Sequence, residues 1–241
     1  MNVAIVLAGG VGARLGKSIP KQFVEVRGKP ILAYTLEKFQ NNENIDVIEI
    51  VSHKDYVSKC KEIARAYEIK KVKWYVNGGA SYPESTVNGL FFLKDKIQDD
   101  DIVLIHGSCA PLVTDEVIDD AIEVCGQYGN AMPVQDIYLS TCLKDDETCS
   151  SRPIDKESLV QVQFPLAFRY KYILEAYERA ISDGSFEKLG LHLQYVVFAN
   201  GDTMHFSKGD DRNFKITTQA DLDFFEGYLL LKDKYNKEDK Q

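Results

Sequence analysis

Short runs of Val and Ile that are apolar at every position, separated by longer stretches of helical period, constrain this chain more than any other feature. A strand with no polar alternation is buried on both faces, and a chain alternating such strands with helices builds a mostly parallel sheet covered on both sides. The expected strands are Val3 to Leu7, Val47 to Val51, Val72 to Val76, Ile102 to Ile105 and Ala131 to Val134. Between them the period predicts helices at 30 to 39, 55 to 67, 85 to 94 and 114 to 124, the last with Thr114 as its N-cap and Gly126 and Gly129 ending it. A helix over 169 to 181, strand-like pieces at 194 to 198, 203 to 206 and 214 to 217, and a last helix from 218 to about 235 complete an α/β pattern. In that last helix Leu222, Phe225, Leu229 and Leu230 are expected to share one buried face.

The rhythm breaks once, at 137 to 162, a polar stretch without helical period in the middle of the domain. Long excursions of this kind are either surface loops or functional projections, and a hairpin arm that makes a dimer or covers a site is the favoured reading. No repeat and no low-complexity linker divides the chain, so residues 1 to 241 are expected to form one domain. With 29 Lys and Arg against 37 Asp and Glu, the net charge of −8 offers no global attraction to nucleic acid or to an anionic membrane. A phosphate-bearing ligand therefore needs a local cluster of positive groups. No run reaches the length of a membrane span, and the N-terminus lacks a basic leader region, so the expectation is a cytoplasmic protein. Five cysteines with no C-x-x-C pair predict free thiols.

Such a cluster follows the first strand directly: Leu7-Ala8-Gly9-Gly10-Val11-Gly12-Ala13-Arg14-Leu15-Gly16-Lys17, then Pro20-Lys21-Gln22-Phe23. Glycines at 9, 10, 12 and 16 permit close backbone approach, successive N–H groups can nest phosphate oxygens, and Arg14 and Lys21 add charge. Two familiar phosphate loops fail residue by residue. A Walker A loop would need glycine where Val11 stands, and Pro20 interrupts the helix that should follow. The dinucleotide fingerprint has Leu15 in place of its third glycine.

The pattern that does fit, L-A-G-G-x-G-x-R-[LM]-G-x-x-x-P-K-Q, resembles the nucleotidyltransferases that make activated sugars and polyols. The Pro-Lys-Gln-Phe ending narrows the resemblance to the branch containing 2-C-methyl-D-erythritol 4-phosphate and ribitol-5-phosphate cytidylyltransferases. Further motifs recur in order: Gly28-Lys29-Pro30-Ile31-Leu32, Gly78-Gly79, Ser85 with Asn88-Gly89-Leu90, His106 with Pro111, Ala167-Phe168-Arg169, and Asn213-Phe214-Lys215-Ile216-Thr217. The resemblance implies a Rossmann-like, doubly wound sheet, an arm at 137 to 162 exchanged within a homodimer, and attack of a substrate phosphate on the α-phosphorus of CTP.

Carried over by motif, Leu7, Ala8, Gly9, Gly10 and Gly12 would wrap the nucleotide with Gly107 beside them, Arg14 and Lys21 would hold its phosphates, Gly79 and Ser85 would contact the cytosine, and Lys215 would reach the reacting phosphate. Nucleotidyl transfer needs alignment and cationic stabilisation more than a special nucleophile, which agrees with this set. Asp136, which matches the family's acceptor-side Asp, and Tyr82 are the candidate substrate-binding residues. Departures lie on the acceptor and metal side. The family's His-Asp-x-x-Arg-Pro is His106-Gly107-Ser108-Cys109-Ala110-Pro111 here, Tyr82 replaces an Arg, and Gln-Thr-Pro-Gln becomes Gln163-Phe164-Pro165-Leu166. Gly107 thus removes a Mg²⁺ ligand, and Asp210 or Asp211 is the expected substitute carboxylate. Within the arm, Lys144, Arg152 and Lys156 are candidate phosphate cations. The altered acceptor side favours ribitol 5-phosphate or another alditol phosphate, precursor of a cell-surface polymer. The methylerythritol substrate, and a catalytically impaired nucleotide-binding protein, remain the alternatives.

Overall fold

The computed structural model of the protein describes residues 1–10, 19–188, 190 and 192–238. In chain order it forms β1 (Asn2–Ala8), β2 (Glu25–Val26), β3 (Lys29–Pro30), α1 (Ile31–Asn41), β4 (Val47–Ser52), α2 (Val57–Ala66), β5 (Val72–Asn77), α3 (Tyr82–Phe92), β6 (Ile102–Gly107) and α4 (Asp115–Tyr128). The second half adds β7 (Asn130–Asp136), β8 (Cys142–Leu143), β9 (Arg152–Pro153), β10 (Val160–Val162), β11 (Leu166–Arg169), α5 (Tyr170–Ser182), α6 (Gln194–Ala199), β12 (Phe206–Lys208) and α7 (Gln219–Glu238). The main sheet runs β10-β7-β11-β6-β1-β4-β5, with β12 against β7. Strands β6, β1, β4 and β5 pair in parallel, and β11 is antiparallel to both neighbours.

Strand β1 shows why the apolar runs had to be buried. Val3, Ile5 and Leu7 enter one core with α3, α5 and α6, while Ala4, Val6 and Ala8 enter a second with α1, α2 and α4. Successive side chains of a strand point to opposite faces, so both faces must be covered. A third, smaller core seats α7 through Leu222 and Phe225 against Ile31, Cys109 and Ile216.

Local chemistry sets the helix ends. Thr114 caps α4 by accepting from the Val117 N–H at 3.4 Å, and Gly129 at φ 88° stops the helix, which runs through Gly126. Helix α3 begins three residues ahead of its expected start because Ser81 caps it: Ser81 Oγ accepts from the Glu84 N–H at 3.2 Å and donates to the Glu84 carboxylate at 3.1 Å.

Four expectations need correction. Residues 194–199 form a helix, not a strand: Val196 and Val197 are buried while Tyr195 and Phe198 are exposed, the burial of a single helical face, and a short apolar run cannot be told from a strand by period alone. The strand expected at 203–206 lies at Phe206–Lys208. Residues 214–217 join no ladder; Ile216 instead donates its N–H to the Cys109 carbonyl at 2.8 Å, and Asp221 takes the Thr217 N–H at 2.8 Å. Leu230 is exposed, since α7 has rotated it away from the face of Leu222 and Phe225.

The excursion leaves the sheet after Asp136 and carries the β8–β9 hairpin on a ladder of its own, with Leu143 opposite Arg152. Its last three residues, β10, return to the sheet against Val134–Asp136, so the projecting part is shorter than 137 to 162. Tyr138, Leu139 and Leu143 stand exposed on it. All five cysteines are free thiols.

Candidate active site

The glycine motif leaves β1 at the carboxyl edge of the sheet, where ligands of open α/β folds bind. Leu7 lies across from Gly107 of β6, and its carbonyl accepts the Ser108 N–H at 3.1 Å. Ala8 is fixed by the buried Gln22, whose amide donates to the Ala8 carbonyl at 2.7 Å. That bond explains the Lys-Gln-Phe turn: Phe23 packs into the core, Gln22 grips the end of β1, and Lys21 is aimed across the site to donate to the Ile216 carbonyl at 3.0 Å. Gly12 and Arg14 lie outside the described residues.

Three glycines converge on one hydroxyl. Gly79 donates its N–H to Ser85 Oγ at 3.1 Å. A Cβ on Gly78 would come within 2.8 Å of that oxygen, and one on Gly9 would stand 3.5 Å from it. At Gly79 a Cβ would press to 2.3 Å from the Glu84 side chain. A methyl group there has no room, so the glycine is a packing requirement and the loop keeps its N–H groups unobstructed. Glu84 holds the same loop by accepting from the Ala80 N–H at 2.9 Å. Among the described residues nothing stands within 4 Å of a Cβ on Gly10.

Lys215 reaches the opposite wall. Its ammonium lies 5.5 Å from the centre of the Tyr82 ring and 5.8 Å from that of Phe164, within the range of cation–π attraction. A Cβ on Gly107 would stand 3.9 Å from its Cε. The Asn213 amide donates to the Phe164 carbonyl at 2.7 Å, so both ends of the Asn213–Thr217 segment are tied to the site. Tyr82 was expected to touch substrate; its hydroxyl is instead buried without a partner, and its ring faces Lys215.

His106 is a structural residue here. It is fully buried, its Nε2 donates to the Ala110 carbonyl at 3.0 Å, and Nδ1 has no partner. Burial, with the Lys215 charge adding to it, lowers its pKa to about 4, so the ring is neutral at pH 7. Cys109 is buried, and that burial raises its pKa against the opposing pull of Lys21 and Lys215; it packs and does not act as a thiolate.

The acceptor-side and metal candidates separate. Asp136 ends β7 in a shallow groove shared with Asp211, Tyr138 and Lys208. Asp210 is engaged elsewhere: Arg212 Nε and Nη2 donate to its two oxygens at 2.9 and 2.6 Å, and these bonds lower its pKa. Among the described residues no three carboxylate, His or Cys side chains assemble as a metal site. An ion held mainly by a triphosphate and water needs only one carboxylate, and with Asp210 paired to Arg212 that leaves Asp211, in the groove with Asp136, as the carboxylate that would hold Mg²⁺. In the arm, Arg152 is bound to Asp145 at 2.6 Å and Lys144 lies 3.5 Å from Glu147.

Sequence reasoning missed the aromatic pair: it marks Tyr82 as a substrate contact and Phe164 as a lost polar group, and neither as a neighbour of the Lys215 ammonium. It also missed Glu84, although Ser81-x-x-Glu84 is a capping-box signal visible in the sequence.

Comparison with known proteins places this geometry among relatives. A ribitol-5-phosphate cytidylyltransferase of Lacticaseibacillus paracasei is 39% identical over 97% of this chain and all of its own length. A 2-C-methyl-D-erythritol 4-phosphate cytidylyltransferase of Clostridium novyi is 35% identical over 95% of this chain and 96% of its own. The crystal structure of 4-diphosphocytidyl-2C-methyl-D-erythritol synthase from Anaerococcus prevotii superposes with a TM-score of 0.81 over 95% of this chain and 96% of that one, at 24% identity, and establishes the fold. The family model for 2-C-methyl-D-erythritol 4-phosphate cytidylyltransferase (IspD) matches residues 2–230, and, with relatives of 35–39% identity over nearly its whole length, the chain belongs to that family.

Proposed function

We propose that the protein transfers CMP from CTP to a polyol phosphate, with ribitol 5-phosphate or another alditol phosphate as acceptor, giving a CDP-polyol and pyrophosphate. The observation that carries the reading is the meeting of Lys21 with the segment that bears Lys215, at the sheet edge where Gly9 faces Ser85. An oxygen of the acceptor phosphate attacks the α-phosphorus of CTP, the bond to the β-phosphate breaks, and pyrophosphate leaves with its electron pair. A phosphate is already anionic at neutral pH, so no base is required, which agrees with a neutral, buried His106. The residues' work is to align the two phosphates and to neutralise charge growing on their oxygens, through Lys21, Lys215 and backbone N–H groups. Mg²⁺, which the resemblance implies, would be held by Asp211 together with the substrate and would neutralise phosphate charge there, since Asp210 is paired with Arg212 and Gly107 has no side-chain ligand.

Ribitol 5-phosphate is favoured over methylerythritol phosphate by the 39% identical relative and by the loss of polar acceptor-side groups at Tyr82, Phe164 and Gly107. The projecting hairpin, with Tyr138, Leu139 and Leu143 exposed, supports a homodimer built through the arm. We place the reaction in the cytoplasm, where CTP is made, supplying a precursor of a cell-surface polymer; no helix among the described residues is long and apolar enough to cross a membrane. The test is pyrophosphate release with CTP and each acceptor in turn. The reading expects the highest kcat/KM with a linear alditol phosphate. A preference for methylerythritol phosphate would assign the isoprenoid reaction instead, and no release with any acceptor would favour a nucleotide-binding protein that has lost catalysis.

A further inference from the structure

Helix α7 has two apolar faces, and the fold uses one. Leu222 and Phe225 are buried in the third core. On the other side Phe224, Leu231 and Tyr235 are 70%, 54% and 60% exposed. Spacings of seven and four residues put these three on one stripe, the arrangement of a helix–helix seam. Gly227 lies midway along it, and nothing stands within 4 Å of the position its Cβ would take. Glycine weakens a helix interior, and among the described residues no neighbour requires bare backbone there.

The charges flanking the stripe are divided by sign. Asp221 and Asp223 lie in the first half of the helix, and Lys232 and Lys234 in the second. Asp221 and Lys232 are three turns apart and so fall on one flank; Asp223 and Lys234 fall on the other. We infer that a second copy of this chain occupies the stripe, with the two α7 helices antiparallel about a two-fold axis near Gly227. Phe224 then packs on the partner's Leu231, Asp221 meets the partner's Lys232, and Asp223 meets the partner's Lys234. Parallel packing would set like charges opposite one another, so the charge order selects the antiparallel arrangement. The pattern is self-complementary, as a two-fold interface requires. Gly227 allows the two backbones to approach at the axis, where a side chain would hold them apart.

This interface is separate from the arm, so the two can act together. The experiment is sedimentation equilibrium on the full chain at concentrations up to about 100 µM, a range that detects a dissociation constant of ordinary strength. The double variant F224E/L231E is expected to halve the mass of the assembly while circular dichroism keeps the wild-type helix signal. L230E, the same chemical change on a residue 52% exposed but off the stripe, is expected to leave the mass unchanged. Asp223→Lys should weaken association by about tenfold or more, and combining it with Lys234→Asp should restore it. Equal masses for wild type and F224E/L231E would overturn the inference. So would a monomeric wild type, which would leave the stripe to a different partner, or a charge reversal that the second reversal does not rescue.

Discussion

Lys21 donates to the backbone carbonyl of Ile216 at 3.0 Å, across 195 positions of sequence. The contact works like a clasp: the turn that carries Lys21 is held to the segment that carries Lys215, and we propose that the two ammonium groups serve the triphosphate. If this is their function, Lys21→Ala should lower kcat/KM for CTP by roughly two orders of magnitude, the scale of losing one electrostatic contact in a transition state. Stability should move much less. One partly buried hydrogen bond is worth about 1 kcal/mol, a shift in Tm of about 2–4 °C for a chain of this size. Comparable losses in activity and Tm would mean that Lys21 is a structural clasp only.

The aromatic pair at Lys215 gives a second expectation. The Tyr82 hydroxyl is buried and unpartnered, so Tyr82→Phe should keep full activity and melt no lower than wild type. Tyr82→Leu removes the ring that faces the ammonium. Cation–π attraction of about 0.5–2 kcal/mol converts to a fall of roughly 2- to 30-fold, read in kcat more than in KM if Lys215 acts on the transition state. Activity lost in the Phe variant would show that the hydroxyl, not the ring, does the work.

Glu49 on β4 makes stability depend on pH. Among the described residues both its oxygens are buried without partners, beside Gly89, and burial raises its pKa from the ordinary 4.5 to about 9. The folded chain therefore holds a proton that the unfolded chain releases, and between those two values stability falls as pH rises. The contribution is absent below the lower value and reaches an order of 3 kcal/mol by pH 7. Thermal denaturation across this range should show Glu49→Gln increasingly more stable than wild type as pH rises, with the two converging near pH 5. A constant difference between the two would contradict the assignment.

Excising the β8–β9 tip should reduce the number of copies in the assembly and activity together, while the remaining chain keeps its Tm to within a few degrees, because long surface excursions cost little to shorten. A shortened chain of unchanged mass and rate would show that the excursion is only a surface loop.

Much of this was legible in the sequence because it rests on local chemistry. The apolar runs, the Thr114 cap and the glycine loop each follow from residue types at fixed spacing, and all but the loop's undescribed part are seen in the fold. Residues 194–199 were misread because six apolar-rich residues satisfy both periods, and only packing against α5 decides. At the site, the sequence marked Lys21, Ser85 and Lys215 but could not show that Lys215 lies between two aromatic rings, since those rings arrive from segments far apart in the chain. Nor could it show that Arg212 claims Asp210, two residues away, which took a carboxylate out of the metal expectation.

The central claim, attack by the acceptor's phosphate on the α-phosphorus of CTP, is tested most directly by following oxygen. Ribitol 5-phosphate carrying ¹⁸O in its non-bridging phosphate oxygens is incubated with CTP and the protein, and the products are read by ³¹P NMR and mass spectrometry. The account predicts that every label remains in CDP-ribitol, one of them now bridging the two phosphorus atoms, and that the pyrophosphate carries none. Label in the pyrophosphate, or a nucleotide product without the bridging label, would contradict it.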